Sequence, residues 1–293
     1  MSGTARPPGR MLRVGGIPLH VLCEGSGPVC VLSPGLGMAW FDWDPVVPLL
    51  APYRTVVRFD RPGLGFSAPA AEPPTAAGEA ARIAGVLDAL GLATPATVVG
   101  HSLAGLHAEA FARLYPERTA GLVLVDSSVE EDARPLAARE LRTAAARLRG
   151  LAIAAAGLPH ALGPALRRLT ARSASVRRRD PVPADLVRRV YGSSRVARAV
   201  VMENARYRDV AAELEDLRAH HGLPPVPITF LAASTGSDSA PERRWLHRQR
   251  ALAARLDARF EAVAPAGHLL MHDRPQSVAA AVLATPYVHR LRG

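Results

Sequence analysis

The chain contains no lysine, so all 36 of its basic residues are arginine. Arginine, alanine, proline and glycine are heavily used together, a pattern of GC-rich coding more than of a basic function. Cysteine is almost absent. The two present, Cys23 and Cys30, exclude a disulfide-built scaffold; they fall in separate predicted strands and read as buried small hydrophobes. Aromatic residues make up 5% of the chain, and no aromatic-rich or nucleic-acid-binding motif accompanies the arginines. Long apolar runs are missing too. The longest weakly polar stretch, 151–166, holds Pro159, His160 and Pro164 and is too short to span a bilayer. Residues 1–10 carry no apolar run of the kind a secretory leader needs. These absences point to a soluble, cytoplasmic protein with no stable membrane insertion and no nucleic-acid partner, as monomer or homodimer.

What is present is enough apolar material for a full core: 293 residues, 48% of them hydrophobic. The net charge of +10 is concentrated in residues 130–222, which hold 18 arginines against 11 acidic residues. Interleaved with acids and alanines, that excess reads as a solvated helical face.

Short predicted strands at 11–14, 19–23 and 29–32 open the chain, separated by Gly15-Gly16 and by Gly25-Ser26-Gly27-Pro28. Strands and helices then alternate. A helix is expected over 41–50, a strand over 55–59, an amphipathic helix over 75–90, a strand over 97–99, a helix over 103–115 and a strand over 122–125. Continuous apolar strands of this kind suit a parallel sheet covered on both faces. From about 129 to 222 the strand signal disappears into Ala/Arg/Leu-rich helix. It resumes with strands at 228–232 and 259–263 and helices at 241–254 and 275–291. The expected organisation is therefore a core in two parts, 1–128 and 223–293, with residues 129–222 forming a helical cap.

Val98-Val99-Gly100-His101-Ser102-Leu103-Ala104-Gly105 is the most informative stretch. It runs strand, sharp turn, helix, with Ser102 at the apex. A serine there needs a strained backbone with only small residues two positions to either side, and Gly100 and Ala104 meet that demand. The turn would lift the hydroxyl above the sheet and aim a helix N-terminus at it.

A hydroxyl needs a base to take its proton. His268, after the last predicted strand in Ala264-Pro265-Ala266-Gly267-His268, comes to the same sheet edge as Ser102, and histidine last in chain order fits. His101 reads as structural, and the His268/His272 pair lacks the glutamate pattern of a metal site, so no metal or other cofactor is expected. Two carboxylates could orient the base: Asp126, at the tip of the 122–125 strand, and Asp238, in the loop after the next one. Asp126 is favoured because it sits directly at a strand tip, whereas Asp238 precedes a helix it could simply cap. Asp238 stays open as the alternative. Two backbone N–H groups should form the oxyanion hole, those of Leu103 and of Leu36 in Ser33-Pro34-Gly35-Leu36-Gly37.

With these residues in place, the chain resembles the α/β-hydrolase superfamily in its cap-bearing serine esterase, lactonase and peroxidase-like branch. Phe59-Asp60-Arg61-Pro62-Gly63-Leu64-Gly65-Phe66-Ser67 is similar to the family's Asp-x-Arg-Gly-x-Gly-x-Ser loop. The insertion falls where family caps sit, and Asp273-Arg274-Pro275 resembles the start of the family's last helix. The resemblance implies an eight-stranded, mostly parallel sheet in the order 1-2-4-3-5-6-7-8, which separates Cys23 from Cys30. The family's oxyanion loop usually reads His-Gly. Pro34-Gly35 keeps the backbone donor but lacks the histidine's supporting bonds.

The function expected on these grounds is cleavage of a small or medium ester, thioester or lactone through an acyl group on Ser102. The alternatives are carbon–carbon hydrolysis, lyase or perhydrolase chemistry on the same residues, or a non-catalytic small-molecule binder. Epoxide hydrolases and dehalogenases need an aspartate where Ser102 stands.

Overall fold

Apolar residues alternate between two helix layers along every central strand, and that alternation builds the protein. The computed structural model describes residues 7–131 and 133–285. Eight strands form one sheet: β1 (Arg10–Val14), β2 (Ile17–Glu24), β3 (Val29–Ser33), β4 (Thr55–Phe59), β5 (Ala96–His101), β6 (Thr119–Val125), β7 (Ile228–Ala233) and β8 (Arg259–Val263). Their order is β1-β2-β4-β3-β5-β6-β7-β8. The first two pairings, β1 with β2 and β2 with β4, are antiparallel, and the rest are parallel. Gly15 and Gly16, both at positive φ, turn β1 into β2 in a two-residue hairpin.

On one face Val31, Val57, Val98, Leu122 and Leu124 pack against α2 (Ala76–Ala89) and α3 (Leu103–Leu114) through Ile83, Leu87, Leu106 and Phe111. On the other, the alternate residues Cys30, Leu32, Val56, Val99, Val123 and Val125 pack against Trp43, Leu50, Met271 and Val282. Strands buried on both sides must be apolar throughout, which is why β3 and β5 carry no exposed residue.

The helix expected over 41–50 is two pieces, a 3-10 turn at Trp40–Trp43 and α1 at Val47–Leu50. Pro45 between them has no N–H, and its ring would clash with the carbonyl one turn back. Cys30 is buried as expected, but Cys23 is exposed, because β2 runs out of cover there and residues 23–27 all face solvent. The two cysteines pair with neighbouring residues of β4, Val57 and Val56, on opposite sides of that strand.

Between β6 and β7 lie four helices, α4 (Arg139–Ala155), α5 (Leu158–Ser173), α6 (Ala184–Tyr191) and α7 (Ser194–His220). The long α7 packs against α4 and also against α2 and α3 of the sheet layer. After β7 come α8 (Ala240–Arg255), β8, the short α9 (Leu270–Asp273) and α10 (Pro275–Leu283). Positions 286–291 of the predicted closing helix, and 1–6 of the stretch read for a leader, lie outside the described residues.

Candidate active site

The turn between β5 and α3 holds Ser102 at φ 53°, ψ −123°, a conformation that an L-residue adopts only under constraint. Neighbouring backbone enforces it. A Cβ on Gly100 would lie 2.3 Å from the Ala104 carbonyl oxygen, so only glycine fits there. Ala104 is tolerated with its methyl fully buried. A second demand, not apparent from the turn motif, falls on Gly105, where a Cβ would lie 1.9 Å from Ser127 Oγ. The loop after β6 is pressed against the start of α3, and Ser128 N–H donates to the Ser102 carbonyl at 3.1 Å.

That loop begins with Asp126, at φ 41° and 2% exposed. Its N–H donates to Leu231 O at 2.7 Å, pinning it to the end of β7. One carboxylate oxygen accepts from Ala233 N at 2.8 Å and from Trp245 Nε1 at 3.3 Å, and the other accepts from His268 Nδ1 at 2.6 Å. The pairing leaves Nε2 as the ring nitrogen of His268 with no partner among the described residues, on a half-exposed side chain. Asp238 lies elsewhere: its side chain is 93% exposed and pairs with Arg243 at 3.0 Å. Ser239, not Asp238, caps α8. Trp245, on α8, is a contact the sequence did not announce.

The His268 loop is held from three sides. Ala266 N–H donates to Ser234 O at 2.7 Å, Gly267 N–H to Asp273 Oδ2 at 2.8 Å, and Leu269 N–H to Ala174 O at 3.0 Å. The same Asp273 accepts from Ser175 Oγ at 2.5 Å and Val176 N at 3.0 Å, tying this loop to the α5–α6 connection. His101 lies beneath. Its Nε2 is 2.9 Å from the His268 carbonyl, and because a carbonyl can only accept, the proton sits on Nε2. Burial, reinforced by neighbouring His268, pushes its pKa well below the ordinary histidine value and keeps it neutral. Its Nδ1 faces Gly35 so closely that a Cβ there would lie 2.7 Å away.

Pro34–Gly37 takes its shape from a buried ion pair. Arg61 donates through Nη1 to Pro34 O and through Nη2 to Gly35 O at 2.7 Å, and its Nε meets Glu203 Oε1 at 2.7 Å. Glu203, from α7, accepts the Gly37 N–H at 2.8 Å on its other oxygen. Burial draws the Arg61 pKa down, but the Glu203 carboxylate more than offsets it and keeps the guanidinium charged. These bonds fix both carbonyls of Pro34-Gly35 and the N–H of Gly37. Leu36 is half-buried, and its N–H has no acceptor among the described residues; Leu103, first in α3, has no carbonyl one turn back.

The neighbouring Asp60 explains the rest of that motif. Its carboxylate accepts from Trp40 N at 2.9 Å and Phe66 N at 3.0 Å and pairs with His20 Nδ1 at 2.9 Å. A Cβ on Gly65 would lie 2.0 Å from it. His272, in α9, donates through Nε2 to the Asp42 carbonyl at 3.1 Å.

An apolar cavity of about 520 Å³ lies beside the Pro34–Gly37 loop, walled by Leu36, Met38, Leu162, Leu166 and Val200. Its polar members are Thr170, whose hydroxyl donates to Leu166 O at 2.9 Å, Tyr191, whose buried hydroxyl has no partner among the described residues, and Arg167, which pairs with Asp42 and with Asp180 at 3.5 Å.

Residues 30–281 match the model of the alpha/beta hydrolase family. A 2-hydroxy-6-oxo-2,4-heptadienoate hydrolase of Pseudomonas putida is 37% identical over 121 residues, 40% of this chain and 44% of that one. The matched segments span less than half of the curated relatives' own length. Among solved structures, a thermophilic esterase from Thermogutta terrifontis superposes with a TM-score of 0.69 at 22% identity, covering 94% of this chain and 96% of its own. An enol-lactonase from Burkholderia xenovorans LB400 superposes with a TM-score of 0.65 at 23% identity, covering 94% and 98%. At that identity the likeness is one of fold. No described helix is long and apolar enough to cross a membrane.

Proposed function

Because the chain belongs to the α/β-hydrolase family, we propose that it is a serine hydrolase of carboxylic esters, thioesters or lactones. The observation that carries this reading is the 2.6 Å contact of Asp126 with His268, together with a serine held in a strained turn whose N–H donates to the carbonyl of Val125, next to Asp126, at 3.1 Å. Ser102 Oγ attacks the acyl carbon while His268 Nε2 takes its proton. The negative charge that collects on the former carbonyl oxygen is held by the N–H groups of Leu36 and Leu103, each worth about 3 kcal/mol in the transition state. His268 passes the proton to the leaving oxygen or sulfur, and the acyl group stays on Ser102. Water, deprotonated by the same nitrogen, then releases the acid and restores the hydroxyl. Asp126 holds the ring in the tautomer that leaves Nε2 free and stabilises its charged form.

Helices α4–α7 serve as the cap, and the cavity beside Leu36 takes the acyl chain. The reaction needs no metal or other cofactor, and the enzyme works in the cytoplasm on a small-molecule substrate. A second reading, carbon–carbon bond hydrolysis by the same residues, is favoured by the likeness to the Pseudomonas putida dienoate hydrolase. A panel of p-nitrophenyl esters of increasing chain length, run beside lactones and a vinylogous diketone, separates the two. Turnover of esters or lactones supports the first reading; turnover of the diketone alone transfers support to the second.

A further inference from the structure

Helices α4 and α5 are packed inside out. On α5 the residues turned inward are Pro159, Arg167 and Ala171, while Leu158, Leu162, Leu166 and Leu169, one face at spacings of three and four, are exposed. On α4 the buried residues are Thr143, Ala146 and Gly150, while Leu141, Leu148 and Leu151 face out. A helix on a globular domain turns its apolar stripe to the core. Here the leucines face solvent, Leu148 at 68% and Leu169 at 65% exposure.

The charge pattern around them is one-sided. Between Glu140 and Asp180 the chain has nine arginines and no acidic residue. Arg149, Arg172, Arg178 and Arg179 are exposed and form no ion pair among the described residues. The same segment contains no tryptophan, tyrosine or phenylalanine, so of the tryptophan, tyrosine and arginine that anchor protein-binding hot spots it offers only arginine. Leucines spread along two helices and flanked by arginines match a fluid apolar phase under a layer of negative charge. Leu158, Leu162 and Leu166 also line the cavity beside Leu36, so one apolar surface runs from the outer face of α5 to Leu36 of the Pro34–Gly37 loop.

We propose that the outer face of α4 and α5 docks on an anionic lipid surface, from which a lipophilic acyl substrate enters the cavity. The docking stands by itself, and the substrate class rests on the hydrolase reading above.

Sedimentation of the full chain with phosphatidylcholine vesicles, with and without phosphatidylglycerol, tests this. Retention is expected on the anionic vesicles only, falling with salt. It should drop about fivefold for each charge removed in Arg149→Gln and Arg172→Gln, and disappear in Leu148→Glu/Leu169→Glu. Neither leucine lines the cavity, so that double variant should hydrolyse a water-soluble ester at the wild-type rate, which verifies its fold. Lack of retention on anionic vesicles, or equal retention on both kinds, overturns the docking. So does a concentration-dependent dimer that the double variant dissociates, since a second copy then covers the face. Vesicle binding by a protein that turns over no ester leaves the docking intact and overturns the substrate class.

Discussion

Asp126 Oδ2 and His268 Nδ1 stand 2.6 Å apart although 142 residues separate them in the chain. The carboxylate is buried, fixed by Ala233 N and Trp245 Nε1, and can turn nowhere else. Asp126→Asn should therefore lower kcat by about a thousandfold or more, since the amide favours the wrong tautomer of the base. Asp238→Asn should change it by less than about twofold, as expected for an exposed residue. Steady-state kinetics of the two variants, side by side, check this. Equal small effects would remove Asp126 from the role.

The choice between those aspartates shows where the sequence stops. Strands β3, β5 and β6 are legible because a strand buried on both faces must be apolar throughout, and the elbow is legible because sterics restrict it to small residues. The position of a loop carboxylate depends on how far the chain travels after β7, and no local pattern records that. The Glu203–Gly37 bond was illegible for the same reason, spanning 166 residues between a loop and a helix of the insertion. Arg61 was visible as part of a motif, but its two carbonyl acceptors were not. The leucines of α5 carried a helical period, yet period alone does not say which face is turned inward.

Glu203 holds the Leu36 loop through Gly37 and through Arg61, so its removal should act on the transition state. Glu203→Ala is expected to lower kcat per active site by about tenfold or more with little change in KM, the pattern of a displaced oxyanion donor. Titrating active sites with a fluorophosphonate separates this from simple instability. A variant with fewer active sites but wild-type kcat per site would give Glu203 a purely structural role.

Three buried histidines, His101, His107 and His272, have pKa values lowered chiefly by burial. In the unfolded chain they titrate near the ordinary value of about 6.5. Below that pH the unfolded state binds protons that the folded state refuses, so stability is intact above about pH 6.5 and lost as pH falls towards the depressed folded values. Each such group steepens the loss by up to about 1.4 kcal/mol per pH unit. Both ring nitrogens of His107 lack hydrogen-bond partners among the described residues. His107→Leu should thus leave stability at pH 8 unchanged or raise it by about 1 kcal/mol, and should flatten the acid limb. Thermal melts from pH 8 to pH 5 check this; an unchanged acid limb would mean that His107 is already charged in the fold.

The proposed reaction requires Ser102 to carry the acyl group. Its most direct test is intact-protein mass spectrometry with peptide mapping after treatment with a fluorophosphonate, on the wild type and on Ser102→Ala. The expected result is one adduct per chain, mapped to Ser102, with ester turnover lost in step with labelling, and neither adduct nor turnover in a folded Ser102→Ala. Labelling at another residue, or ester turnover that persists in that variant, would contradict it.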